Sequence, residues 1–159
     1  MKCGIFSLVV KKGEVLSLIG KYEQIMIYKK LSNGVEIPMI GFGTFKIPND
    51  QTAEAINNAI NAGYRHIDTA AIYRNEIGVG KGIKESHLAR EEIFLTTKCW
   101  NDDQGYQKAL DAFEQSCQRL QTNYIDLYLI HWPKPLNSET WSAFEKLYQQ
   151  QPNTDVSGI

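Results

Sequence analysis

Several large classes of protein are excluded by what this sequence has little of. Three cysteines occur in 159 residues. Cys3, Cys99 and Cys117 are odd in number and far apart, with no Cys-x-x-Cys pair. Neither a disulfide framework nor a zinc clamp is supported, so reduced thiols in a cytoplasmic setting are the expectation. Charge of one sign is missing too: 17 Lys and Arg meet 18 Asp and Glu, for a net charge of -1. Without a basic stripe, neither nucleic acid nor an acidic membrane surface is an expected partner. No apolar stretch approaches a membrane span. The opening "MKCGIFSLVVKKGEVLSLIG" is broken by Lys11, Lys12 and Glu14 before it reaches signal-peptide length. There is no low-complexity linker.

What is there can build a core, since 43% of residues are hydrophobic against 22% charged. The length suits one ordinary domain, or half of a barrel that takes about 250 residues. Residues 1–25 show no clear period and read as an N-terminal extension, residues 26–150 carry an orderly pattern, and residues 151–159 read as a divergent tail. "IYKKLSNGVEIP" predicts a hairpin around Ser32-Asn33-Gly34, with Asn-Gly supplying the positive φ angles of a tight turn.

Beyond the hairpin the chain alternates. "MIGFGTF", "YRHID", "IFLTTK" and "YIDLYLIHW" predict strands. Between and after them, "DQTAEAINNAINAG", "NEIGVGKGIKES", "GYQKALDAFEQSCQRLQ" and "SETWSAFEKLYQQQ" predict helices, the first capped by Asp50 or Thr52 and stopped at Gly63. Consecutive βα units with nearly continuous apolar strands point to a parallel sheet, doubly wound or closed as a barrel. In a barrel the hairpin would plug the N-terminal face.

In such folds the working residues gather at the C-terminal ends of strands and in the loops that follow. Asp68 ends the second strand, Tyr73 lies in the loop after it, Lys98 ends the third and His131 the fourth. Each has a plain structural explanation: a helix cap, a packing ring, a surface lysine, a core histidine. Four such explanations become weak together when all four residues reach one rim. Their types suit carbonyl reduction. A tyrosine hydroxyl is a poor acid at neutrality, and a neighbouring ammonium lowers its pKa. Lys98 is expected to supply that charge, Asp68 to hold Lys98, and His131 to hydrogen-bond the substrate oxygen while Tyr73 protonates it.

At these residues the chain resembles the aldo-keto reductase family. "GYRHIDTAAIYRNEIGVG" matches the family's first signature at every defined position, "LTTKCW" and "DLYLIHWP" match the strands carrying its lysine and histidine, and "IPMIGFGTF" is similar to its first strand and loop. The resemblance runs from about Ile27 to Tyr148 and is nearest the bacterial small-aldehyde and 2,5-diketo-D-gluconate reductases. It implies an α/β fold of (β/α)8 TIM-barrel type, NADPH as hydride donor and a small-molecule carbonyl substrate. It further implies a tetrad of Asp68, Tyr73, Lys98 and His131, with Gly43, Thr44 and Asp68 near the nicotinamide and Phe45, Trp100 and Trp132 lining the substrate pocket.

After "AFEKLY" the pattern departs into "QQQPNTDVSGI", so the first four βα units are expected without the rest. A half barrel leaves edges and interior open, which favours self-association. A truncated chain that is a poor reductase alone is the resulting expectation, and a non-catalytic half-barrel association module is the alternative. Two other readings fare worse. A metal-dependent hydrolase using His66, Asp68 and His131 would leave Tyr73 and Lys98 idle. "GFG" and "GVGKG" lack the full spacing of a dinucleotide or phosphate loop, and close helix packing explains the glycines better.

Overall fold

Around Ser32-Asn33-Gly34 the chain turns between two short antiparallel strands, β1 (Tyr28–Lys30) and β2 (Glu36–Pro38). This is a computed structural model, and it describes residues 26–150 and the backbone of residues 155–157. The extension read at residues 1–25 and most of the tail lie outside the described residues. Within the turn only Gly34 takes a positive φ, 93°, which corrects the expectation that Asn33 shares it. The loop is long enough to close by Leu31 N–H donating to Val35 O at 2.8 Å. Asn33 therefore contributes through its side chain, whose Oδ1 accepts Val35 N–H at 3.0 Å.

The alternation that follows is β3 (Phe42–Gly43), α1 (Asn49–Asn61), β4 (His66–Asp68), α2 (Glu76–Glu85), β5 (Phe94–Cys99), α3 (Tyr106–Leu120), β6 (Leu127–Ile130) and α4 (Asn137–Gln150). A further strand, β7 (Asp155–Ser157), pairs with β6 where a tail was expected. All neighbours in the sheet β3-β4-β5-β6-β7 are parallel. Each strand adds beside the preceding one in chain order. That is the progression of a barrel wall, not the reversal of a doubly wound sheet.

The helices form because their apolar residues recur on one stripe. In α1, Thr52, Ile56, Ala59 and Ile60 are buried, a spacing of four, three and one that lies along one face. Its cap differs from expectation. Pro48 stands at the N-cap, where its fixed φ suits the helix entry, and Thr52 Oγ1–H donates back to Pro48 O at 2.8 Å instead of capping. Gly63, at φ 97°, ends the helix as expected.

The core lies between sheet and helices. Tyr128 from β6 sits between Phe113 of α3 and Phe144 of α4, with ring centres 5.1 and 4.7 Å away. Burying one such ring contributes about 2–3 kcal/mol. Between α2 and its neighbours the glycines allow close approach: a Cβ on Gly80 would stand 2.8 Å from Leu120 Cα. The glycine-rich segment is thus a helix-packing stripe, and the phosphate-loop reading falls.

Candidate active site

Parallel register carries the polar residues to one rim. Asp68 pairs with Thr96 and Lys98 with Leu129, so their side chains leave the sheet near the strands' C-terminal ends, and His131 follows Ile130 directly. Tyr73 closes a single turn of 3-10 helix, Ala71–Tyr73, that ends at Arg74 in the left-handed region.

The groups expected to act together are together. Lys98 Nζ donates to Asp68 Oδ1 at 2.7 Å and to Thr69 O at 2.9 Å, and lies 5.5 Å from the centre of the Tyr73 ring. Tyr73 meets His131 edge-to-face with centres 5.8 Å apart. His131 in turn packs against Trp100 at 5.0 Å and Trp132 at 5.9 Å, while Phe45 lies 5.0 Å from Tyr73. Phe45 is 63% exposed and Trp132 57% exposed. Exposure on that scale sets aside core packing as their purpose.

The electrostatics correct one expectation. The Tyr73 hydroxyl is not made more acidic by Lys98; burial pushes its pKa up, and the charge of Asp68 pushes it further. The ammonium is already engaged by the Asp68 carboxylate at 2.7 Å, so the pair presents little net positive charge to the phenol. Burial, and then the Lys98 charge, lower the pKa of His131, which keeps its imidazole neutral near neutral pH. Its Nδ1 is buried without a partner. That leaves Nε2 as the nitrogen able to reach a ligand.

His66 takes no part in the rim. Its Nδ1 contacts Pro38 O at 3.2 Å and its Nε2 contacts Thr96 Oγ1 at 3.0 Å. Both ring nitrogens are occupied, so the metal-ligand reading of His66, Asp68 and His131 is overturned. Among the described residues no cluster of three or more His, Cys, Asp or Glu is placed to hold a metal ion.

Thr44 is buried and directed inward, its amide donating to Asp68 O and its hydroxyl to Thr69 Oγ1, both at 2.9 Å. It supports the floor of the site from beneath, whereas Gly43 leaves open space: a Cβ there would meet nothing within 4 Å. Two buried residues escaped the sequence reading. Asn75 bonds to the loop after β3. Glu76 accepts from Thr97 Oγ1–H at 2.6 Å and Arg119 Nε–H at 2.7 Å, beneath the strand that carries Lys98. Their partners lie up to 43 residues away, and no local pattern marks them. A cavity of about 330 Å³ lies between the turn at residues 71–74, Trp100 and Asp103 after β5, and helices α2 and α3, but none of Asp68, Tyr73, Lys98 or His131 lines it.

Comparison with known proteins gives this geometry a context. Residues 39–150 match the model of the Aldo/keto reductase family. The chain is 60% identical over 122 residues to glyoxal reductase of Bacillus subtilis (strain 168), a match covering 76% of this chain and 44% of that protein. The crystal structure of an aldo/keto reductase from Brucella melitensis superposes with a TM-score of 0.79 at 51% identity, over 85% of this chain and 54% of that one. A Bombyx mori aldo-keto reductase in complex with NADP gives a TM-score of 0.76 at 36% identity, over 84% of this chain and 50% of that one. These structural neighbours are TIM barrels, and the chain spans about half the length of the relatives it matches.

Proposed function

The chain belongs to the aldo/keto reductase family, and from that premise we propose that it serves the reduction of a small aldehyde or ketone to an alcohol with NADPH. The observation that carries this reading is the joint placement of Tyr73, Lys98 and His131. The phenol stands between an ammonium 5.5 Å from its ring centre and an imidazole ring 5.8 Å away. Two structural relatives, the Bombyx mori enzyme with NADP and the protein Gox0644 in a D53A variant with NADPH, support the choice of cofactor. The residues present fit the reacting end of that cofactor, because the open backbone at Gly43 adjoins Asp68 in the sheet register. NADPH would supply a hydride to the carbonyl carbon.

The remaining work falls to side chains of this chain. Tyr73, held neutral by its raised pKa, gives its hydroxyl proton to the carbonyl oxygen as negative charge develops there. His131, neutral and with Nε2 free of protein partners, donates a hydrogen bond to that oxygen and orients it. Lys98, fixed by Asp68 and Thr69 O, stands beside the phenol as a closed ion pair, so Tyr73 rests in its protonated, donating form. The exposed Phe45 and Trp132 and the half-buried Trp100 would wall a shallow pocket suited to a small aldehyde, in keeping with the similarity to a glyoxal reductase.

NADPH oxidation by the purified chain, followed at its absorbance band with glyoxal as substrate, tests the reading. Tyr73→Phe should lower the rate at least about a hundredfold while leaving the fold intact, the usual reach of general acid catalysis. A folded Tyr73→Phe variant with an unchanged rate would overturn it.

A further inference from the structure

Asn75 occupies the N-cap of α2, a position where an asparagine side chain ordinarily bonds the first free amides of the helix. Here it makes no cap bond. The side chain is fully buried and bonds instead to the loop after β3 and to Thr69. Its Nδ2 donates to the carbonyls of Thr44 at 2.8 Å and Ile47 at 3.0 Å. Its Oδ1 accepts the hydroxyl of Thr69 at 3.1 Å, and Thr69 in turn accepts the hydroxyl of Thr44 at 2.9 Å. The two carbonyls stand on the nitrogen side and the hydroxyl on the oxygen side, so the amide uses both donors and its acceptor in one orientation.

These bonds join two segments that carry different parts of the proposed site. Thr44 and Ile47 bracket the loop bearing Phe45. Asn75 itself lies two residues after Tyr73, across Arg74, whose φ of 58° is in the left-handed region. A non-glycine residue held there, next to a capping residue that does not cap, marks a segment whose local preferences yield to a longer-range arrangement. That arrangement is the 5.0 Å separation of the Phe45 and Tyr73 rings.

We propose that Asn75 is a positioning residue that fixes the Phe45 loop against the Tyr73 turn, so that pocket wall and proton donor keep one spacing. The catalytic part of this rests on the reductase reading; the positioning part does not. Asn75→Ser and Asn75→Asp separate the alternatives, because both cap helices well, but an aspartate carboxylate has no donor and a serine hydroxyl has only one, on a shorter side chain, so neither can hold Thr44 O and Ile47 O together.

The full chain, with 13C-labelled phenylalanine and tyrosine, is examined by NMR for the Overhauser effect between the Phe45 and Tyr73 rings. Thermal unfolding and the kinetics of glyoxal reduction are measured alongside. Both variants should unfold cooperatively and lose the ring-to-ring signal. Their kcat should fall up to about a hundredfold, with KM for the aldehyde changing less, as for a proton donor displaced by about an ångström. A variant that keeps the ring-to-ring signal overturns the proposal. So does loss of cooperative unfolding in both variants, which would make the amide a general support of the fold. If the parent chain reduces no carbonyl, the reductase reading fails alone, and the ring-to-ring signal still decides the role of Asn75.

Discussion

Replacing Asp68 with asparagine probes the rim without requiring turnover. In the native chain Lys98 Nζ stands 2.7 Å from Asp68 Oδ1, with the aspartate side chain 36% exposed. Solvent screening at that exposure discounts the pair, and an asparagine oxygen can still accept from the ammonium, so the expected loss of stability is about 1–2 kcal/mol. The larger effect falls on Tyr73. The Asp68 charge raises the Tyr73 pKa, and its removal leaves the ammonium, 5.5 Å from the ring centre, uncancelled. Across that distance a unit charge stabilises a phenolate by about 0.8 kcal/mol in water-like surroundings and about 3 kcal/mol at an effective dielectric of 20. Tyr73 should therefore ionise at lower pH in Asp68→Asn than in the parent, though burial still holds it up. Eight tyrosines overlap in absorbance, so the phenolate band is titrated as a difference between chains with and without Tyr73→Phe, in each background. A Tyr73 titration that stays in place or moves to higher pH would refute the reasoning that Asp68 cancels Lys98.

Two further predictions concern stability. Burial lowers the pKa of His66 below 6.5, so the unfolded chain binds the proton more readily than the folded one; the contribution is present above the unfolded pKa and is lost as pH falls below about 6.5 toward the folded value. Urea midpoints should drop between pH 7.5 and 5.5 and drop less in His66→Gln, and an equal drop in both chains would remove His66 as the source. Gly80→Ala places a methyl group against the Leu120 backbone and should cost about 1–3 kcal/mol by overpacking, read as a lower melting temperature; an unchanged melting temperature would show that α2 is free to shift away from that contact.

The alternation of strands and helices was legible because each helix repeats its apolar stripe and each strand runs apolar to a polar end. "IFLTTK" led directly to a lysine at the rim, and Lys98 is there. The sense of the Tyr73 perturbation was not legible. A sequence names an ammonium and a carboxylate without saying which of them is free, and the 2.7 Å contact between them reverses the expected direction. Strand β7 was missed for a different reason. Three residues, Asp-Val-Ser, carry no period, and they become a strand by pairing with Leu127, Tyr128 and Leu129. Asn75 and Glu76 were hidden because polarity near a loop ordinarily reads as exposure, while their burial depends on Thr44, Thr97 and Arg119, remote in the chain.

Strand β5 shows why the rim can be rigid where the chemistry is proposed and adaptable beside it. Leu95, Thr97 and Cys99 are fully buried, and Thr97 is tied to the buried Glu76 by a bond of 2.6 Å. Lys98 stands between Thr97 and Cys99, so its backbone moves only if that buried network opens, a local unfolding that exposes a carboxylate and apolar surface together. The rings of Phe45 and Trp132 are largely exposed and are held by ring contacts to Tyr73 and His131, not by a buried network. Substitutions at those two aromatics should change which carbonyl compounds fit while Lys98 and Asp68 keep their 2.7 Å contact. On the proposed reductase reading, substitution of Thr97 or Glu76 should disturb the Lys98 position and lower turnover across all carbonyl compounds alike.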